Sequence, residues 1–322
     1  MENNCLNCTN VRKVVIIGCG FVGAACAFSI MQSGMFSEMV LIDSDFAKAQ
    51  GEALDISHGV PFAKPMNIYA GNYDDIKNAS MVIITAGANQ KDGETRLDLV
   101  KKNISIFKSI IPEIKQRNYK GILLIVANPV DILTTVAIKL SGMAENRVFG
   151  SGTVLDTARL KFELGKHLSV DPRSVHAFII GEHGDSEIAA WSSVNISGVP
   201  LNKFCEMRGH CGNHDEAMKK IADDVKNSAY EIISKKRATY YGIAMSVKRI
   251  CEAIIRDEKS ILPVSSIMHG EYGISGISLS MPAIVGKDGV ETHVPIQLNE
   301  QEVLCLQKSA QTLQNVLNQN DI

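Results

Sequence analysis

The sequence has no excess of positive charge: 33 lysines and arginines stand against 35 aspartates and glutamates. A chain so balanced carries no basic field to hold nucleic acid or an anionic membrane, which leaves a small molecule as the expected partner. It also lacks a tandem repeat, which excludes solenoids and propellers, and a low-complexity linker, so its parts are expected to share one continuous interface. One stretch is short of charge instead. Val14 to Met31 runs 18 residues without a charged side chain after Arg12 and Lys13, outwardly like an export signal or a membrane span. Gly18, Gly20 and Gly23 interrupt it where a buried strand should turn into a buried helix, so packing accounts for the apolarity and neither export nor a membrane is expected.

What is present is length and apolar content. With 322 residues, 45% of them hydrophobic and 21% charged, the chain reads as a soluble globular protein of two ordinary domains. Its eight cysteines are spread over a chain too large to need disulfide staples, and Cys19 and Cys26 fall inside the glycine-rich stretch. That usage suits reduced thiols and a cytoplasmic protein. Cys5 and Cys8 form a C-x-x-C, and Cys205, His210, Cys211 and His214 cluster later, but neither spacing matches a common zinc module. A polar N-terminal arm and a surface loop are expected there, and no metal.

Val14 to Ile17 has buried-strand character, a helix is expected from about Phe21, and a second strand, Met39 to Ile42, ends in Asp43. Met81 to Thr85 and Ile122 to Val126 repeat the strand signature, separated by an amphipathic helix over about Thr95 to Gln116. Such alternation through Val148 implies a parallel sheet with helical crossovers on both faces. After about Gly150 the pattern becomes α+β: helices over Val154 to Leu168, Glu216 to Ile233, Ile243 to Arg256 and Gln301 to Leu317, and a strand near Val175 to Ile180. Strands Ile277 to Val285 and Val290 to Ile296 flank the hairpin signal Lys287-Asp288-Gly289. The expectation is a Rossmann-type doubly wound domain over 1–150, with an arm at 1–12, and an α+β catalytic domain over 151–322.

Gly18-Cys19-Gly20-Phe21-Val22-Gly23 is G-x-G-x-x-G between a strand and a helix, with Asp43 twenty residues beyond Gly23 at the end of the next strand. Gly18 permits the tight turn, Gly20 lets amides approach a pyrophosphate, and Gly23 lets helix and strand pack closely. Asp43 accepts ribose hydroxyls and its charge repels a 2′-phosphate, so NAD is expected rather than NADP.

Further motifs are Gly181-Glu182-His183-Gly184-Asp185, Asp156 with Arg159 on one helix, Asn128-Pro129-Val130-Asp131, the segment Ala88 to Arg96, and Thr239-Tyr240-Tyr241-Gly242-Ile243. At these residues the chain closely resembles the bacterial L-lactate dehydrogenases, in order and spacing, over nearly its whole length. The resemblance implies that His183 is the general acid in ketone reduction and the general base in alcohol oxidation, with its ordinary pKa suited to both directions. It makes Asp156 the partner of the other ring nitrogen, Arg159 the fork that binds the substrate carboxylate, and Arg96 the group that polarises the carbonyl. Asn128 would bond the same oxygen, and Thr239 would stand beside substrate. To the cofactor the resemblance assigns Val22, Lys48, Tyr73, Gly87, Ala88, Val126, Asn128, Ser151 and Ile243 besides the glycines and Asp43. A structural alternative for Asp156 and Arg159 is a simple ion pair within the helix.

Malate dehydrogenases share the histidine, aspartate and arginines but carry arginine where this chain has Gln90. A second substrate carboxylate would find no partner beside Gln90 and would meet Glu94, which favours pyruvate over oxaloacetate. A bulkier monocarboxylate of the 2-oxoisocaproate kind remains an alternative. Lys161 and His176 occupy positions where similar bacterial enzymes hold fructose 1,6-bisphosphate with an arginine and a histidine; lysine keeps the charge but not the planar fork. The resemblance also implies a homotetramer, with subunit pairs meeting through helices such as that around Gln50 to His58, and a place in glycolysis and fermentation. Outside the enzyme class, a catalytically idle NAD-binding scaffold and a zinc-dependent protein remain.

Overall fold

Alternate residues of one short strand set out the whole architecture. In the computed structural model, which describes residues 10–88, 96–209 and 214–320, Val14 and Ile16 point into one apolar cluster while Val15 and Ile17 point into another. A strand apolar on both sides must lie inside a sheet covered on both faces, and this one does.

In chain order the elements are β1 (Asn10–Ile17), α1 (Phe21–Ser33), β2 (Glu38–Ile42), α2 (Phe46–His58), β3 (Asn67–Ala70), β4 (Ala79–Ile84), α3 (Arg96–Gln116), β5 (Ile122–Ile125), α4 (Val130–Ser141), β6 (Val148–Gly150) and α5 (Val154–Leu168). There follow β7 (Val175–His176), β8 (Ile179–Ile180), β9 (Ile188–Ala189), β10 (Asn195–Ile196), β11 (Val199–Pro200), α6 (Leu201–Met207), α7 (His214–Lys236) and α8 (Tyr241–Ile255). A long hairpin of β12 (Ser260–His269), β13 (Ser275–Gly286) and β14 (Gly289–His293) precedes α9 (Glu300–Asn318). Among these, no helix is long and apolar enough to cross a membrane.

Among the described residues, nine strands form one sheet in the order β14-β13-β12-β6-β5-β4-β1-β2-β3. The six strands from β3 to β6 are parallel, and β12 joins β6 antiparallel through Ser265 and Gly150. The strands of the second half therefore extend the first half's sheet. One cluster lies under α3, α4 and α9 and the other under α1, α2 and α8, while a third, smaller core gathers Leu160, Leu164, Val175, Ile221 and Val225.

The hairpin turn falls at Lys287–Asp288, as its residues imply. The strand expected over Val290 to Ile296 ends at His293, β3, β10, β11 and α6 add to the expected elements, and two further differences bear on the site. β12 carries Pro263 and the buried serines Ser265 and Ser266, so it shows neither alternation nor an apolar run. The strand expected near Val175 to Ile180 is two short ones, because β7 pairs with β10 while β8 pairs with β9 and leads to a bridge from Gly181 to Ser280.

The apolar face of α3 presents Val100, Ile104 and Phe107, with Asn103 set among them and buried. Asn103 Oδ1 accepts the Ala88 N–H (2.7 Å), and its Nδ2 donates to the carbonyls of Ala88 (3.3 Å) and Asn128 (2.7 Å). One amide thus ties together the chain leaving β4 and the chain leaving β5. Asn103→Leu keeps the volume but strips those three bonds, and is expected to cost about 1–3 kcal/mol of unfolding free energy. Urea unfolding at fixed protein concentration measures it; an unchanged midpoint would show that water replaces the amide.

Candidate functional site

The strand ends converge on one edge, and the residues singled out by the sequence gather there in two groups. The first is the turn after β1. Gly18 has φ +101°, and a Cβ on it would meet the Ala86 main chain at 2.5 Å. A Cβ on Gly23 would strike the Gly18 carbonyl oxygen, so helix and turn touch with no room for a side chain. At Gly20, by contrast, a Cβ would meet nothing within 4 Å. Gly20 is also the N-cap of α1 and gives it no side-chain bond, whereas Asp45 caps α2 and Asn299 caps α9. The open turn with uncapped amides is the form that receives a pyrophosphate, so the residues fit a dinucleotide. Asp43 Oδ2 accepts the Cys19 N–H at 2.6 Å, fixing the turn against the end of β2.

Other residues expected at the cofactor are arranged unevenly. Val22 of α1 and Ile243 of α8 pack against the same apolar cluster that contains Val126 at the end of β5. Gly87 and Ala88 continue from the end of β4, and Ser151 is buried with its N–H on the Ile125 carbonyl. Lys48 is exposed in the first turn of α2. Tyr73 follows the end of β3, and its ring lies beneath the Arg117 guanidinium, 5.7 Å from the centroid.

The second group surrounds a cavity of about 270 Å³ lined by Asn128, Asp156, Arg159, His183 and Glu187, by Leu99 and Val100 of α3, and by Lys226, Ala229, Tyr230 and Ile233 of α7. Asp156 stands in the first turn of α5 and is 2% exposed. Its Oδ2 lies 2.5 Å from His183 Nδ1, and its Oδ1 accepts from Arg159 Nη1 at 2.8 Å. The helix ion pair and the histidine couple are therefore both present on one carboxylate. The His183 loop is itself tethered. Its main-chain N–H donates to Asp131 Oδ2 (2.8 Å), the Tyr230 hydroxyl donates to Asp185 Oδ1 (3.0 Å), and the Lys226 ammonium donates to the Asp185 carbonyl.

Burial alone would depress the His183 pKa, but the charge and hydrogen bond of Asp156, joined by the charges of Asp131 and Glu187, raise it to about 9. This corrects the expectation of an ordinary histidine: the ligand-free site holds the imidazolium at neutral pH. Asp156, which burial would raise, is held below the usual carboxylate range by His183 and Arg159. Glu187 is pushed up to about 8, by burial first and then by the Asp156 charge, against His183, Arg159 and Lys226. Asp156, His183 and Glu187 bring donor atoms within 4.8 Å of one another. Both Asp156 oxygens are committed to Arg159 and His183, and Glu187 acts on that couple through charge.

Gln90 and Glu94 lie outside the described residues, as do Cys5, Cys8, His210 and Cys211; Arg96 begins α3, and its side chain is not described. Thr239 stands just before α8, half-buried, and is not on the wall of this cavity. Cys205 is buried in the third core, and His214 begins α7. Lys161 and His176 sit on α5 and β7, which pack together; burial lowers the Lys161 pKa, and His176 is exposed. Sequence reasoning missed Asn103, Asp131, Glu187 and the α7 wall. Asn103 had a signal, a polar residue in the apolar stripe of α3; Glu187, in a loop, had none.

Residues 12–150 match the model of the lactate/malate dehydrogenase NAD binding domain, and residues 153–321 match that of the lactate/malate dehydrogenase alpha/beta C-terminal domain. The chain belongs to the lactate/malate dehydrogenase family. It is 52% identical over 312 residues to the L-lactate dehydrogenase of Acetivibrio thermocellus, covering 97% of this chain and 98% of the relative. It is 54% identical to the L-lactate dehydrogenase of Thermoanaerobacterium saccharolyticum, covering 97% and 100%. The crystal structure of the minor L-lactate dehydrogenase of Enterococcus mundtii, in its ligands-bound form, superposes with a TM-score of 0.93 at 44% identity, over 96% of this chain and 98% of that one.

The histidine couple leaves a thermodynamic trace. The folded state raises the His183 pKa from 6.5 to about 9, so its stabilising contribution is whole below about 6.5 and is lost as pH rises through about 9. The gap in unfolding free energy between the wild type and His183→Gln is expected to narrow by on the order of 2–3 kcal/mol between pH 6 and pH 10. Denaturant titrations at fixed protein concentration read this directly, and a gap independent of pH would mean that folding leaves the His183 pKa at its unfolded value.

Proposed function

We propose that this chain is an NAD-dependent L-lactate dehydrogenase that interconverts pyruvate and (S)-lactate. The supporting observation is the series Arg159–Asp156–His183, held on one buried carboxylate and facing a small cavity. With Nδ1 engaged by Asp156, Nε2 is the ring nitrogen free to pass a proton to the carbonyl oxygen. Because the imidazolium is the resting form below about pH 9, the ligand-free site is poised for reduction. The turn at Gly18 to Gly23, Asp43, and Val22, Val126 and Ile243 would hold NADH, whose chemistry when bound would be delivery of a hydride to the carbonyl carbon. Arg159 binds the substrate carboxylate, Arg96 stabilises the charge that develops on the carbonyl oxygen, and Asn128 bonds that same oxygen.

Gln90 selects a monocarboxylate. In a closed site the second carboxylate of oxaloacetate would be buried without a cation, at a cost of several kcal/mol. Purified protein is expected to oxidise NADH with pyruvate on the order of a thousandfold more efficiently than with oxaloacetate, and Gln90→Arg to move preference toward oxaloacetate. Initial rates of NADH loss with pyruvate, oxaloacetate and 2-oxoisocaproate decide it. Faster turnover of oxaloacetate by the wild type would overturn the reading, and no turnover of any of them would favour an idle NAD-binding scaffold.

The assembly we propose is a homotetramer. Leu54 on α2, Phe62 just beyond it, and Tyr241 and Met245 on α8 expose apolar side chains that a partner subunit would cover. In the cytoplasm the reaction would regenerate NAD from NADH at the end of a glycolytic fermentation. Lys161 and His176, on packed elements, form the candidate site for fructose 1,6-bisphosphate, weaker than one with an arginine fork. The bisphosphate is expected to raise the initial rate at low pyruvate; superimposable saturation curves with and without it would dismiss activation.

A further inference from the structure

His183 is held by a second carboxylate, and that one touches its main chain. Asp131, in the first turn of α4, is 1% exposed and accepts the His183 N–H on Oδ2 (2.8 Å). Its Oδ1 accepts the hydroxyl of Ser265 from β12 (2.6 Å) and that of Ser280 from β13 (3.3 Å). All three donors are neutral, so among the described groups acting on this buried charge the one cation is the protonated ring of His183 itself. We infer that Asp131 is a positioning residue for His183: it fixes the histidine loop to α4 and the hairpin, and it supplies a second negative charge that favours the protonated ring. The inference rests on the proposed role of His183 as proton donor.

Geometry and charge agree. α4 begins directly after Asn128 and Pro129, which line the cavity, so Asp131 links that wall to the histidine loop through one side chain. Burial pushes the Asp131 carboxyl up to about 6, against the hydrogen bonds from Ser265 and the His183 N–H, so near neutrality it is mostly ionised. The other groups facing His183 are Asp156 and Arg159 from α5 and Glu187 and Glu182 from its own loop, with Lys226 from α7 acting on Glu187. Asp156 supplies the largest attraction at Nδ1. Asp131 differs in acting from behind the loop, where substrate does not reach, so its charge is present whether or not Arg159 has turned to a ligand.

The test is Asp131→Asn. An amide keeps an acceptor for the His183 N–H and donates to hydroxyls that can accept, so the shape of the site is retained while the charge is lost. The pH at which His183 gives up its proton is expected to fall by about half a unit to one unit. In kcat/KM for pyruvate, the variant would match the wild type's shape at pH 6 and drop about two- to fivefold further by pH 9. The pH dependence of diethylpyrocarbonate modification of the free enzyme, with His183→Gln as the control that identifies the residue, reads the same shift without any turnover. Failure of pyruvate turnover in the wild type would thus strike the proposed activity and leave this measurement standing. Ser265→Ala, which removes a donor to the anion, is expected to move the profile the same way by a smaller amount, and it serves if the amide variant does not fold. Modification profiles that superimpose on the wild type in whichever of the two variants fold would overturn the inference.

Discussion

Everything at this site depends on keeping one buried carboxylate charged. Asp156 is almost fully removed from water, and an isolated ion there would take up a proton instead of remaining ionised. It remains an anion because its two oxygens are divided between two cations, Arg159 and protonated His183, and because it stands in the first turn of α5, where the helix amides favour negative charge. Removing either cation leaves the other with a partner whose charge is poorly compensated. Orientation of the imidazole, retention of its proton and placement of the substrate's anchor are therefore a single electrostatic problem with a single solution.

That solution needs rigid support from several directions, and the sheet supplies it. The parallel strands end along one edge, so the turn after β1 and the chains leaving β4 and β5 all open on the same side. Asn103 locks two of those chains together, and Asp131 locks the histidine loop to the serines of β12 and β13. The seam between β6 and β12 thus matters beyond topology. It brings the hairpin of the second half under α4, so that the loop carrying His183 is fastened to elements drawn from both halves of the chain. A site built between two freely moving bodies could not hold a 2.5 Å contact between Nδ1 and a carboxylate.

Periodicity and short-range geometry made the local features legible in the sequence. The β-branched runs, the glycine turn and the helix over Val154 to Leu168 are local, and each lies where its residues imply. Helical spacing alone sets Asp156 and Arg159, three residues apart, side by side, although the choice between an ion pair and a catalytic pair is falsely exclusive. The features hidden from the sequence are non-local. β12 buries Ser265 against Asp131 and Ser266 against His293, and nothing within the strand's own residues announces a carboxylate 134 positions away. The elevated His183 pKa arises from acids on α4, α5 and its own loop, whose convergence only the fold creates.

Charge bookkeeping across the cavity then explains why the number of substrate carboxylates should matter so much. Near neutrality Glu187, raised to about 8, is mostly protonated and adds little charge, while Asp156 and Asp131 are anions and His183 and Arg159 are cations. These four charges therefore balance before any substrate arrives. A monocarboxylate brings one negative charge, which the Arg96 guanidinium of the proposed mechanism offsets. A dicarboxylate brings a second charge that none of these groups opposes, in a cavity whose further cation, Lys226, is already bonded to the Asp185 carbonyl. Glu187 could not relieve that excess by ionising, since doing so would add to it; it could only stay protonated. In the function proposed above, selectivity for a monocarboxylate would come from the neutrality of the whole group, and an uncharged residue at position 90 would leave that balance in place.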